Sequence, residues 1–313
     1  MVDLPDLYPG FESHFIDVPG AKIFARVGGN GPALLLLHGY PQTHVCWHKV
    51  APELSRHFTL VIPDLRGYGA SVGPGADAEA NGDGGVPHVA YSKRAMAADF
   101  VALMRVLGHD RFAVVSHDRG ARVGYRLALD HPDSVSRLAV LDIVSTLDAW
   151  TDTARATLVG RFHWSFLARP APFPETMIGR DPTYFLDYLL AQWTASQDLS
   201  AFDPAALAHY RAAFARPEVI HASCEDYRAG ATCDVTFDAA DRTAGRKIVC
   251  PMLALWGVDR GQGAISGALK AWQAWCDDIQ AAGVVSGHFL PEEQPAATLS
   301  HLVPFLLSSG RAS

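Results

Sequence analysis

Ser116-His117-Asp118-Arg119-Gly120-Ala121-Arg122 decides the architecture of this chain. The apolar run 112–115 leads into it as a strand, and 123–129 leads out with helical spacing until Pro132 stops it. A strand that feeds a helix through so short a link holds one side chain, that of Asp118, on a sharp turn. Small residues two before and two after it, Ser116 and Gly120, let strand and helix approach closely enough for that turn. A carboxylate in this position points to displacement at carbon through an alkyl ester rather than to acyl transfer.

Two arginines sharpen the reading. Arg119 and Arg122 lie three residues apart in the first turn of the following helix and share a face. Cations at a helix N-terminus are disfavoured by roughly 0.3–1 kcal/mol each, so the pair argues for an anion nearby. Asp118 could be part of that anion. A planar carboxylate gripped by guanidinium forks would use both arginines, whereas a solvated salt-bridge face would explain only one at a time.

Working outward, short apolar runs at 33–37, 58–62, 112–115, 138–144 and 248–256 read as strands, with helices at 91–107 and 123–129 between them. The segment 15–27, turning at Pro19-Gly20, reads as a hairpin on the sheet edge. This alternation predicts an α/β fold with a mostly parallel sheet flanked by helices. Between 146 and 245 the strand rhythm stops and aromatics, alanine and proline take over, which reads as an inserted helical lid, or cap. The expected division is a core of 1–145 and 246–313 and a cap of 146–245. Ligands of open α/β sheets bind beyond the strand carboxyl ends, so cap and elbow should enclose one cavity.

Composition fits a packed catalytic domain: 313 residues, 49% hydrophobic, formal net charge −7. That charge argues against a nucleic-acid or polybasic membrane partner. Cys46, Cys224, Cys233, Cys250 and Cys276 are odd in number and form no CxxC pair, which predicts reduced thiols in a cytoplasmic protein without a metal site. The acidic start, Met1-Val2-Asp3-Leu4-Pro5-Asp6, lacks the basic and apolar pattern of a signal peptide, and no apolar run approaches the ~20 residues of a membrane span. The glycine-rich, acidic stretch 73–85 reads as a surface loop.

Other residues complete a chemistry. His38-Gly39-Tyr40-Pro41 directly follows a strand, where the Tyr40 N–H and the Arg119 N–H could converge on a developing oxyanion, and Tyr40-Pro41 is a candidate cis peptide. His288, in Ser286-Gly287-His288-Phe289-Leu290-Pro291, stands where a water-activating base is needed, giving the chain order Asp, Asp, His. Asp142 and Asp259 both end strands and either could orient it. The formal G-x-S-x-G match at Gly69-Ala70-Ser71-Val72-Gly73 precedes a loop instead of a helix, so Ser71 is a weak nucleophile candidate.

With these residues in place the sequence resembles the fluoroacetate (haloacetate) dehalogenases of the α/β-hydrolase superfamily. The likeness runs from His38-Gly39-Tyr40-Pro41-Gln42-Thr43 and Gly67-Tyr68-Gly69 through the elbow to Ser286-Gly287-His288-Phe289-Leu290-Pro291-Glu292-Glu293. In the cap it includes His163-Trp164-Ser165-Phe166-Leu167-Ala168 and Cys224-Glu225-Asp226-Tyr227-Arg228-Ala229-Gly230. It implies that Asp118 is the nucleophile, His288 the base and Asp142 the acid, that Arg119 and Arg122 clamp the substrate carboxylate, and that His163, Trp164 and Tyr227 hold the halide. It further implies a small haloacid anion as substrate, no cofactor, and a homodimer. Ser116 departs from the glycine usual before the elbow, the loop at 73–85 is longer than the family norm, and Asp259 stands where the family has no acid, which leaves the acid open. An epoxide hydrolase of the same fold is the alternative enzyme. It would need two cap tyrosines, with Tyr184, Tyr188 or Tyr210 partnering Tyr227. A non-catalytic receptor on this fold would need no ester-cleaving set at all.

Overall fold

The computed structural model describes residues 4–74, 86–152, 154–258 and 265–308. Asp259 and most of the 73–85 loop lie outside them. Eight strands form a single sheet: β1 Glu12–Val18, β2 Ala21–Gly29, β3 Ala33–Leu37, β4 Thr59–Pro63, β5 Phe112–His117, β6 Val135–Leu141, β7 Met252–Gly257 and β8 Ile279–Val284. Their order is β1-β2-β4-β3-β5-β6-β7-β8. The β1/β2 hairpin turns at Gly20, whose φ of 79° a side chain would resist. It is antiparallel within itself and against β4, and every later pairing is parallel. The five residues of β3 and the six each of β5 and β7 are buried throughout, as a sheet covered on both faces demands. The chain is therefore an α/β-hydrolase fold.

Several strand bounds differ from the sequence expectation, with β5 running on to His117 and β6 starting at Val135; the larger departures have local reasons. The sixth strand stops at Leu141, not 144, because Asp142 turns the chain with φ 56°. The seventh begins at Met252, not 248, because Pro251 has no N–H to give the ladder; Ile248 makes only an isolated bridge to Cys276. The eighth, Ile-Gln-Ala-Ala-Gly-Val, is half-exposed and weakly apolar, and was not among the expected strands.

Two core helices carry the site's support. They are Lys93–Val106, capped by the Ser92 hydroxyl, and Asp118–Asp130. The second starts five residues before the apolar spacing does, because its first turn is polar. From Thr146 to Thr243, between β6 and β7, the described chain holds eight helices and no strand. Three of the prolines scattered through this stretch are helix starts: Pro182, Pro204 and Pro217 each open a helix, and Asp181 and Asp203 cap two of them.

Buried ion pairs fasten this helical insertion to the core. Asp234, Asp238 and Asp241 lie on one face of the helix Cys233–Thr243. Asp238 and Asp241 pair with Arg126, Asp238 also accepts from the Tyr125 hydroxyl at 2.7 Å, and Asp234 accepts from the Lys93 N–H at 2.9 Å. Breaking such a pair from one side leaves an uncompensated buried charge, which costs far more than the pair contributes.

Candidate active site

The elbow places Asp118 at the first position of its helix with φ 47°. Such a conformation costs a non-glycine residue about 1–3 kcal/mol unless its surroundings enforce it. They do so by contact. A side chain on Gly120 would collide with the carbonyls of Leu37 and His38, and one on Gly39 with the Asp118 side chain. Ser116, in place of a smaller residue, donates its hydroxyl to the Ala139 carbonyl at 2.9 Å and rests against Gly124. Gly124 gives the helix the room that Ser116 takes from the strand.

Asp118, His288 and Asp142 meet beyond the carboxyl ends of β5, β6 and β8. The His288 Nδ1 lies 2.6 Å from Asp142 Oδ2 and its Nε2 3.6 Å from Asp118 Oδ2. Asp142 is itself aimed by the Gly257 N–H, 3.0 Å from Oδ1. Burial resists the charge on His288, but hydrogen bonds and charge from Asp118 and Asp142 outweigh it and push the imidazole up to about 9. Burial also resists the charge on Asp118, and His288, His117 and Arg119 together hold its carboxyl well below the usual range. The resting pair is thus carboxylate and imidazolium.

The Tyr40 N–H donates to Asp118 Oδ1 at 2.8 Å from a turn whose Tyr40-Pro41 peptide is cis. The Arg119 N–H lies in the first turn of its helix, where no helical carbonyl can accept it. His117 adds a link between nucleophile and base: its Nε2 lies 2.8 Å from the His288 carbonyl, and burial pushes the ring down to about 4, so it is neutral and donates.

A cavity of about 530 Å³ opens over these groups, lined among others by Asp118, Arg122, Arg161, His163, Trp164 and His288. Arg122 gives Nη1 to Val144 and Thr146, and its buried Nε has no partner. Burial, with the charge of Arg119 behind it, pushes it down to about 10, so it stays cationic at neutral pH. Arg119 is placed differently from what the shared helix face predicts. Its Nε and Nη2 form a bidentate pair with Asp226 at 2.9 and 2.8 Å, and only Nη1 remains without a partner. Asp226 also pairs with Lys93 and accepts from Tyr68 at 2.8 Å. Its motif was visible in the sequence, but its role as the counter-charge to Arg119 was not, since the two are 107 residues apart.

The three cap residues converge as well. The His163 ring lies 5.7 Å from that of Tyr227, which lies 6.1 Å from that of Trp164. Burial pushes His163 down to about 3, so it is a neutral donor and acceptor, and its Nδ1 has no partner. Burial and the Asp118 charge push the Tyr227 phenol well above its ordinary value, keeping the proton it would donate. Neither the Tyr227 hydroxyl nor the Trp164 indole N–H bonds to protein among the described residues. The other tyrosines are elsewhere: Tyr184 and Tyr188 are exposed, and Tyr210 donates to Glu292 at 3.1 Å. Trp193, which also lines the cavity, and Arg161 carry no sequence signal beyond their place in the insertion. Ser71 spends its hydroxyl on the Asp64 carbonyl and the Phe24 N–H in a buried turn. No group of three or more His, Cys, Asp or Glu among the described residues is arranged to hold a metal, and no helix there is long and apolar enough to cross a membrane.

Comparison with known proteins agrees with this fold. The α/β hydrolase fold family matches residues 32–291. A fluoroacetate dehalogenase from Burkholderia sp is 43% identical over 96% of this chain and 95% of its own. A soluble epoxide hydrolase from Corynebacterium sp. (strain C12) is 29% identical over 93% of this chain and 96% of its own. The crystal structure of an α/β-hydrolase candidate from Nostoc sp PCC 7120 superposes with a TM-score of 0.88 at 46% identity, covering 96% of this chain and 99% of that one.

Proposed function

This chain belongs to the α/β-hydrolase family, and on that premise we propose that it is a haloacetate dehalogenase that converts fluoroacetate to glycolate and fluoride. The observation that carries the reading is the set of buried or cavity-facing donors left without protein partners. Arg122 Nε on the cavity wall and the buried Arg119 Nη1 are suited to a carboxylate, and His163 and Trp164, which line the cavity, with Tyr227 packed against both, to a small halide. Unpaired buried donors are costly, and a haloacid anion satisfies both groups at once. An epoxide hydrolase would need a second tyrosine from the cap beside Tyr227, and Tyr184, Tyr188 and Tyr210 are exposed or spent on Glu292; the tyrosine that does adjoin Tyr227, Tyr40 with ring centroids 5.2 Å apart, comes from the core turn.

With the carboxylate on Arg122 and Arg119, the α-carbon lies over Asp118 and the halogen points toward the cap donors. An Asp118 oxygen attacks the α-carbon as the carbon–halogen bond breaks, and the halide leaves with the bonding pair. Fluoride concentrates that charge on a small atom, so aligned N–H and O–H donors matter most for it. Ester formation removes the Asp118 charge, and with it one of the two carboxylates that keep His288 protonated. The imidazole then releases its proton, takes another from water, and directs the resulting hydroxide to the Asp118 carbonyl carbon. The Tyr40 and Arg119 N–H groups hold the oxyanion until the bond between the Asp118 carbonyl carbon and the ester oxygen breaks; the departing alkoxide takes the proton His288 drew from water and leaves as glycolate, and the new Asp118 carboxyl gives its proton to the imidazole, restoring the resting pair.

The test is fluoride release from fluoroacetate by the purified protein, read with an ion-selective electrode, together with mass spectrometry of His288→Asn. The expected result is fluoride release by the parent and a carboxymethyl adduct on the Asp118 peptide in the variant. Styrene oxide turnover without halide release would replace this reading with the epoxide hydrolase.

A further inference from the structure

Beside the catalytic cavity lies a second one, of about 660 Å³, lined by Ala149, Trp150, Asp152, Thr157, Leu158, Arg161, Trp164 and Ser165. Arg161 and Trp164 border both. Arg161 has no carboxylate within 4.0 Å among the described residues; its hydrogen bond is from Nη1 to the Ala149 carbonyl at 3.3 Å, and its Cζ lies 5.7 Å from the Trp164 ring centroid. Burial pushes its guanidinium down, against the pull of Asp152 and Asp142. The outer cavity's other uncommitted polar group is also a donor, the buried Trp150 Nε1. Its one acid, Asp152, is occupied by the Ala154 N–H at 3.1 Å and the Thr157 hydroxyl at 2.9 Å. An outer chamber offering a desolvated cation and a free N–H, with its acid satisfied, suits an anion on its way in.

We infer that Arg161 is the access cation of this site: it receives a small halocarboxylate in the outer cavity and passes it, past Trp164, to Arg122. The inference rests on the haloacid reading and deepens it by giving the substrate a route and a third arginine. A halocarboxylate crossing from one cavity to the other stays within reach of a guanidinium at each step, Arg161 on the shared wall and Arg122 inside. Charge at the mouth of a low-dielectric site acts on association, commonly by ten- to a thousandfold, and this effect weakens with salt.

The experiment is stopped-flow tryptophan fluorescence with acetate, an unreactive carboxylate, on the parent, Arg161→Gln, Arg161→Lys and Arg122→Gln. Arg161→Gln should slow association at least tenfold at low ionic strength and flatten its salt dependence, and Arg161→Lys should recover most of the rate. Arg122→Gln should act mainly on dissociation. Unchanged association in Arg161→Gln, no acetate binding by the parent, or a defect seen only with bulky 2-substituted acids would each overturn the inference. A parent that binds acetate with the expected Arg161 dependence but releases no halide from any haloacetate would instead condemn the dehalogenase reading and leave the access role standing.

Discussion

Asp118 and Asp142 both hold positive φ, at 47° and 56°, and both flank His288. Backbone strain at the two carboxylates fixes the directions in which they meet His288. In the proposed reaction, the donors of the helical insertion would separate a defluorinating site from a general one. Trp164→Phe and Tyr227→Phe each remove one donor and largely keep shape. By analogy with loss of one oxyanion donor, each should cost roughly 2.7–4 kcal/mol on fluoroacetate and clearly less on chloroacetate. The measurement is the ratio of kcat/KM for the two substrates, which cancels losses of active fraction; an unchanged ratio in both variants would mean that the halide is held elsewhere. At this scale the sequence was readable wherever a residue stood in a local pattern: the elbow, the His-Gly-Tyr-Pro turn, the histidine of the last loop. It was unreadable wherever a role depends on a distant partner. Spacing alone did not separate Asp142 from Asp259; the structure puts Asp142 2.6 Å from His288, while Asp259 lies outside the described residues, and the tie between Arg119 and Asp226 had no trace in spacing.

Among elements, the helices Asp118–Asp130 and Cys233–Thr243 are joined by Arg126, whose pairing with Asp238 and Asp241 is buried. Removing the arginine leaves Asp238 without its cation and Asp241 with Arg246 at 2.8 Å and Arg94 at 3.9 Å. Arg126→Met should therefore destabilise the fold by about 3–5 kcal/mol, seen as a lower denaturant midpoint. Arg126→Lys, a point charge without the fork, should fall between. If Arg126→Met matched the parent, the cluster would be a consequence of packing and not a support of it. The sequence displayed the insertion through what it lacked, the strand rhythm, and displayed the buried strands through their apolar runs. It concealed β8, whose residues are small and half-exposed, and the first turn of the elbow helix, whose residues are polar because they serve the site.

For the molecule as a whole, the pH profile follows from the changing charge of one pair. In the free protein His288 sits at about 9, above its ordinary 6.5, so it is protonated at neutral pH. A raised value stabilises the fold fully below about 6.5, and that contribution fades as pH rises through about 9. Once the Asp118 ester has formed, the imidazole loses one supporting charge and its value must fall. Rapid-quench kinetics should show ester hydrolysis rising with pH to a plateau, with an inflection below 9; an inflection at about 9 would mean that Asp118 does not support the imidazolium. The base loop has a further dependence. The His288 N–H donates to the Trp193 carbonyl at 2.8 Å, the Ala195 N–H donates to Glu293 at 2.8 Å, and a side chain on Gly287 would collide with the backbone at Thr194 and Ala195. The base is moored to the end of a cap helix, Pro182–Trp193. A displacement of that helix would carry the His288 backbone with it, so in the proposed reaction the aim of the base is set by the insertion as much as by the sheet.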